Sequence, residues 1–426
     1  MFNLDFLRVS GILFLMLGGA YKLSIINISV AHITLIAFIY ISIKTNRLAE
    51  FFLFVRKMKT FNIYIVVLFS LLIVSIINFS VLGKGDEGFI LWQIKVISSA
   101  IISIYMFGYI TARVIGKIEI KDAFKYISIF IVMLSIFVLF QLISQDFRLT
   151  YLNITAIDGH WKEWASDSPR AVGLKGMSIW DSSLAYSFIF LSLCSIYFNE
   201  SITFKRITFL SSAFALAILL SFSGRTGIIF SFLFFTLVSF NDRVLFKNYG
   251  KMILILLLLV PIVMLSVDEY LLSRLLYAFE FLINIAQGKL ETQSTNDLIN
   301  NHLFIPEIKN LILGDNIFIG DGGSFINSTI KASDSAFVIN YAAYGMFGLL
   351  GTLLITLMTT LILYRMLLIK RSLFVKVIIF MVLFIISFGL HVKIVAYISP
   401  TYLKSLVFCS ILIDIFRMRK FYNHPN

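Results

Sequence analysis

Charge is scarce in this chain. Only 14% of its 426 residues are Asp, Glu, Lys or Arg, where an ordinary soluble domain carries about 25%. That shortage largely excludes a cytosolic enzyme or a nucleic-acid binder. Cysteine is scarcer still. Cys194 and Cys409 both lie in apolar runs, so no disulfide framework is indicated, and no zinc-type Cys/His cluster is present. There is no Walker-type phosphate loop, which argues against an ATP-driven pump. No internal repeat is strong enough to organise the chain. What is abundant is apolar surface: 59% of the residues are hydrophobic. A dozen membrane crossings at ~20 residues each would take roughly 240 residues, more than half of the chain.

Apolar runs place spans near 6–21, 25–43, 61–82, 89–112, 126–144, 181–198, 207–221, 226–240, 252–267, 336–363, 377–392 and 395–416. The expected fold is all-α: a polytopic membrane protein of about 12 transmembrane helices with two long periplasmic loops. The first five helices fill 1–144 and the first loop 145–180. Helices six to nine fill 181–267, the second loop 268–335, and the last three helices 336–426. Arg8 ahead of an apolar stretch ending Gly18-Gly19-Ala20 resembles a secretory signal, but a retained helix fits better. With the N-terminus inside, the six inner loops hold 21 of the 36 basic residues against six acids. Every alternate loop then obeys the positive-inside bias. Loops as long as the two outer ones are usually functional or disordered. Mid-span charges are few: Lys95, Lys393 and Lys404, all toward the outer half of their spans.

The first outer loop carries Trp161, Trp164 and Trp180 among Asp167, Arg170, Lys175 and Asp181. Indole faces suit the C–H faces of sugars, although Trp also forms interfacial belts on any membrane protein. Ser221-Phe222-Ser223-Gly224-Arg225-Thr226-Gly227 follows at an outer turn. A guanidinium fixed there grips phosphate oxygens in bidentate fashion; alternatively Arg225 snorkels to a lipid headgroup. Residues 268–276, with Arg274, read as a surface amphipathic helix. His302 is a candidate base, because an imidazole takes and gives protons near neutral pH, although a lone loop histidine is more often solvated. Leu311–Asn316 and Gly320–Phe325 are turn-rich. Asp334 and Ser335 stand at a helix start, so Asp334 or Ser333 is also read as an N-cap.

The order Ser221-Phe222-Ser223-Gly224-Arg225, Leu313-Gly314, Gly322-Gly323-Ser324-Phe325, Asp334-Ser335, Tyr344-Gly345-Met346-Phe347-Gly348 resembles the O-antigen polymerase and ligase superfamily. The resemblance covers about residues 145–365. An Asp-Ser pair, where ligases usually carry His-Asn, looks more like the polymerases.

The resemblance implies a glycosyltransferase of the bacterial inner membrane with its active face in the periplasm. It would move a growing glycan from undecaprenyl diphosphate to a sugar hydroxyl of the next lipid-linked repeat. Its partners would be that lipid-linked oligosaccharide, membrane lipid and a chain-length regulator protein, with no nucleic acid. No cofactor is implied, and the outer loops lack an Asp-x-Asp motif that would call for a metal. A departing diphosphate needs positive charge rather than a general acid. Arg225 and Arg274 are the first residues expected to bind it, followed by Arg170, Lys175 and Lys331. Asp334, His302 and Asp167 are the available bases. The motif match itself carries over Arg225 and, less securely, Arg274. A ligase acting on lipid A core and a lipid-linked oligosaccharide flippase are the alternatives; sparse mid-span charge disfavours the flippase.

Overall fold

The computed structural model describes residues 3–239, apart from 24–25, 46–47, 158, 178–179 and 200–205. It also describes 296–423, apart from 321–331 and 368–371, and scattered positions between 272 and 288. The described residues are almost wholly helical. In order they form α1 (Leu4–Leu17), the strands β1 (Ala20–Leu23) and β2 (Ile26–Ser29), α2 (Val30–Thr45), α3 (Leu48–Lys57) and α4 (Lys59–Leu82). Next come α5 (Glu87–Ile115), α6 (Ile120–Ile143), α7 (Gln145–Ile154), α8 (His160–Asp167) and α9 (Trp180–Asn199). Then follow α10 (Arg206–Ser223), α11 (Arg225–Ser239), α12 (Ala336–Met366), α13 (Leu373–Lys393) and α14 (Pro400–Asn423). Among the described residues, five helices (α4, α5, α6, α12 and α13) are long and apolar enough to cross a membrane. Helices suit such a chain because each satisfies its own backbone groups without water.

Three expectations change. The first two spans are shorter than their apolar runs, because residues 20–29 form an antiparallel hairpin pairing Tyr21 with Ile28. Strand and helix cannot be told apart by apolarity alone in so short a run. The inner loop after the second helix is largely α3. The first long loop is not irregular: α7 and α8 occupy much of it. The expected span 252–267 and the surface helix 268–276 lie largely outside the described residues.

The two ends of the bundle are fastened differently. At one end Arg113 meets Glu50 at 2.8 Å. There Arg365 donates to Thr60 Oγ1 at 3.0 Å, and Arg419 donates to the carbonyls of Ile118 and Gly116 at 2.6 and 2.7 Å. Arg419 thus neutralises carbonyls just past the end of α5, where helix carbonyls lack partners. At the other end lies the β-hairpin. Residues 168–177 cross the helix ends there as a strap. Gln141 exchanges two hydrogen bonds with Gly173, Ala171 N donates to Phe222 O at 2.8 Å, and Tyr21 and Tyr151 both donate to Leu174 O.

At the hairpin end α12 doubles back. Gly345 has φ 59° and ψ −139°, a left-handed conformation that only glycine adopts readily. Asn340 Nδ2 donates to Thr352 Oγ1 at 2.7 Å across this turn. A Cβ on Gly348 would stand 2.0 Å from Asn340 O. Residues 336–344 therefore fold back along the next stretch of helix. Their N-terminus lies roughly 13 Å from the turn at ~1.5 Å per residue. Residues 309–316 clasp this re-entrant piece. Asp315 N and Asn316 N donate to the carbonyls of Ala342 and Ala343, both at 3.0 Å, while Asn78 Nδ2 donates to Leu313 O at 2.6 Å. Lys84 reaches Asp315 at 2.7 Å.

Candidate functional site

The re-entrant helix begins beside an acid–imidazole cluster. His302 closes a π-helical turn, Leu298–His302. Its Nε2 stands 3.3 Å from Asp297 Oδ2 and 4.0 Å from Asp334 Oδ2. Ser333 Oγ donates to His302 O at 2.6 Å and accepts from Ser335 N at 3.1 Å. One serine therefore ties the turn to the start of α12. The N-cap of α12 is Ser335, not Asp334 or Ser333, and its side chain makes no capping bond. Asp334 is instead about half exposed, with the Asp297 carboxylate similarly open and the imidazole mostly covered. His302 Nδ1 and Ser335 Oγ are buried without a partner among the described residues. Asn301 Nδ2 donates to Asp297 at 2.7 Å. That bond, helped by the imidazole, holds the Asp297 carboxyl below the ordinary carboxylate range.

This is the geometry of a base with an orienting acid. A neutral imidazole protonated on Nε2 donates to Asp297 and faces Asp334, while Nδ1 is closed off, so a proton reaches the cluster from its open carboxylate side. The two carboxylates then stabilise the imidazolium that forms.

The Ser-Gly-Arg turn lies between α10 and α11. Ser183 Oγ donates to Gly224 O at 3.1 Å and Ser187 Oγ to Gly227 O at 2.9 Å. A Cβ on Gly227 would stand 2.3 Å from Ser183 Oγ, so glycine there lets α11 press against α9. Arg225 is the first residue of α11; its side chain is outside the described part. Next to it, Thr226 Oγ1 accepts from Lys393 Nζ at 3.4 Å. Asp181, in the first turn of α9, binds Lys175 and accepts from Ser399 Oγ at 2.8 Å. Lys404 is buried, donates to Leu15 O at 2.8 Å and lies 5.7 Å from the Phe107 ring centroid. Three lysines therefore gather near the N-termini of α9, α11 and α14, ends that carry partial positive charge themselves.

The structure sorts the residues expected from sequence. His302 and Asp334 come together. Asp167 does not join them: it ends α8, where its carboxylate accepts from Ser166 Oγ at 2.8 Å. Trp161 and Trp164 form an exposed edge-to-face pair, centroids 6.5 Å apart, and the Arg170 guanidinium lies 6.0 Å from the Trp164 centroid. Trp180 is separate, partly buried where α9 starts, beside Gly224. Lys175 is engaged by Asp181, so much of its charge is already balanced. Arg274 and Lys331 lie outside the described residues.

Asp297 escaped the sequence reading because it stands five residues before His302, a separation that only a π turn brings to one side. Arg148, in the first long loop, plays a structural part. It is fully buried, and its Nε and Nη2 donate to Ala165 O and Arg170 O at 2.9 and 2.8 Å. It fastens α8 and the strap to α7. No family model, no curated protein and no solved structure matches this chain.

Proposed function

We propose that this chain is a surface-polysaccharide polymerase of the bacterial inner membrane, with the hairpin end facing the periplasm. The observation that carries the reading is His302 set between Asp297 and Asp334 at the start of the re-entrant helix. The acceptor sugar hydroxyl attacks the anomeric carbon of the glycan carried on undecaprenyl diphosphate. Its proton passes to the His302–Asp334 pair, from the open carboxylate side, as the new glycosidic C–O bond forms. The anomeric carbon–diphosphate bond breaks, and the leaving diphosphate keeps the electron pair and its charge.

Arg225, at the N-terminus of α11, is assigned to that developing charge, with Lys393 alongside. Arg274, on the sequence resemblance, and Lys331, as a cation of the second outer loop, are assigned the same role. Fixed cations in a water-poor site do this without reorganising. The Trp161–Trp164 pair with Arg170 forms a platform for the glycan. Asp334, the open member of the pair, shares the proton with the imidazole it faces, and Asp167 is assigned no chemical step. A chain-length regulator would dock from outside this chain.

The deciding experiment examines lipopolysaccharide from a strain lacking the protein. One repeat unit on the lipid A core is the expected result. Absence of any repeat, with polymer left on the lipid carrier, would instead indicate a ligase. Loss of carrier-linked product from the outer leaflet would indicate a flippase.

A further inference from the structure

Helix α3 lies at the arginine end, away from the described residues of the proposed glycosyl-transfer site. Its ten residues pack one face on the bundle. The Phe51 ring stands 4.7 Å from Phe38 and 5.6 Å from Tyr109, and Phe54 stands 5.9 Å from Tyr109. At about 100° per residue, Phe52 and Leu53 point to the arc away from these rings, and Leu48 lies at its edge. They are 53%, 66% and 57% exposed. Three large apolar side chains uncovered on one short helix are an unfavourable surface for water.

The polar residues say what covers them. Arg56 and Lys57 occupy the last turn and Lys59 follows at the start of α4; all three are exposed. The one acid of α3, Glu50, is already engaged by Arg113 at 2.8 Å. The exposed arc therefore runs from apolar to cationic, with its acid neutralised from the bundle side. The helix also adjoins α4, which is long and apolar enough to cross a membrane, with Met58 alone between them, and a two-residue link separates it from the shorter apolar helix α2. Such a helix lies in the plane of the interface, with apolar residues among acyl chains and cations at the phosphates.

We propose that α3 is an interfacial helix that binds anionic phospholipid, with Leu48, Phe52 and Leu53 in the acyl region and Arg56, Lys57 and Lys59 on the headgroup phosphates. This rests on the membrane reading of the long helices and not on the polymerase assignment.

The test uses the full chain in vesicles, carrying a polarity-sensitive fluorophore on Leu53→Cys. The native Cys194 and Cys409 are fully buried and stay unlabelled. Quenching lipids are supplied with either phosphatidylglycerol or phosphatidylcholine headgroups. The expected result is quenching by both lipids, several-fold stronger from phosphatidylglycerol. The combined variant R56Q, K57Q and K59Q should lose that preference while acyl-chain quenching persists. The charge-conserving R56K, K57R and K59R variant should retain it, which separates charge from folding. A label quenched by aqueous iodide but by neither lipid would overturn the proposal. Cross-linking of labelled positions between two copies, in place of lipid quenching, would assign the face to a second copy. Equal quenching by both headgroups would refute anionic selection.

Discussion

The two long segments at the hairpin end, 145–180 and 296–335, look alike in sequence and differ in construction. In the first, charged groups are largely tied down. Arg148 is buried on backbone carbonyls, Lys175 is held by Asp181, and the strap is sealed to the helix ends by Gln141, Tyr21 and Tyr151. Its open surface is aromatic. In the second, a clasp anchored by Lys84 and Asp315 holds a re-entrant helix, and beside it an imidazole stands between two carboxylates with one ring nitrogen unpartnered. The contrast teaches that charge count alone does not mark a reactive site. The first segment leaves aromatic faces open, and the second sets an imidazole beside two carboxylates.

The comparison breaks most sharply at the base. His302→Ala should lower glycan elongation by about a hundredfold or more, read as collapse of the ladder of glycan lengths on a gel at unchanged protein level. Asp167→Asn, in the other segment, should leave the ladder within a few-fold of normal. Equal losses would erase the distinction between the segments. Arg225→Ala should cost about 2.7–4 kcal/mol of transition-state stabilisation, again read from the ladder; a normal ladder would remove the diphosphate role.

Stability sharpens the contrast next. Gly345→Ala forces a side chain into a left-handed position and would place its Cβ 2.5 Å from Leu311 O. Backbone strain of this kind costs about 1–3 kcal/mol, so the variant should show a lower thermal midpoint and reduced elongation together. Trp161→Ala and Trp164→Ala should raise the concentration of acceptor needed for half-maximal elongation, with maximal rate nearly unchanged; Trp180→Ala should act on stability instead.

The smallest effect is a pH dependence of the clasp. Burial pushes the Asp315 carboxyl up, but hydrogen bonds from Lys84, Lys309 N and Asn310 N together outweigh it and leave it below the ordinary range. A carboxyl depressed in the folded state stabilises the fold above its unfolded pKa, near 4. That contribution is lost as pH falls through the lower folded value. Protection of the amides at residues 309–316, taken relative to their intrinsic exchange rates, should therefore fall below about pH 4, and Asp315→Asn should abolish the change.

Much of the helical plan was legible because apolar runs of ~20 residues leave the backbone few alternatives. The long spans from 61 to 144 and at 377–392 match helices to within a few residues at most ends, whereas the expected span 336–363 is broken at Gly345, where 336–344 fold back. The hairpin at 20–29 was hidden because its residues are as apolar as the helices beside it. Helix α3 was hidden by its basic residues, which read as a loop. At the site, His302 and Asp334 were visible as residue types, but their meeting depends on the π turn and the Ser333 bridge. Asp297 depends on that same turn. Gly345 was visible within a motif, whereas its role as the apex of a re-entrant helix follows only from Asn340 facing Thr352.

The most direct measurement puts the purified full-length chain in liposomes with an undecaprenyl-diphosphate-linked repeat unit and follows product length. The account predicts stepwise elongation with release of undecaprenyl diphosphate, lost in His302→Ala although the variant still binds the lipid-linked substrate. Elongation by His302→Ala at the parent rate, or no binding of the lipid-linked substrate by the parent chain, would contradict it.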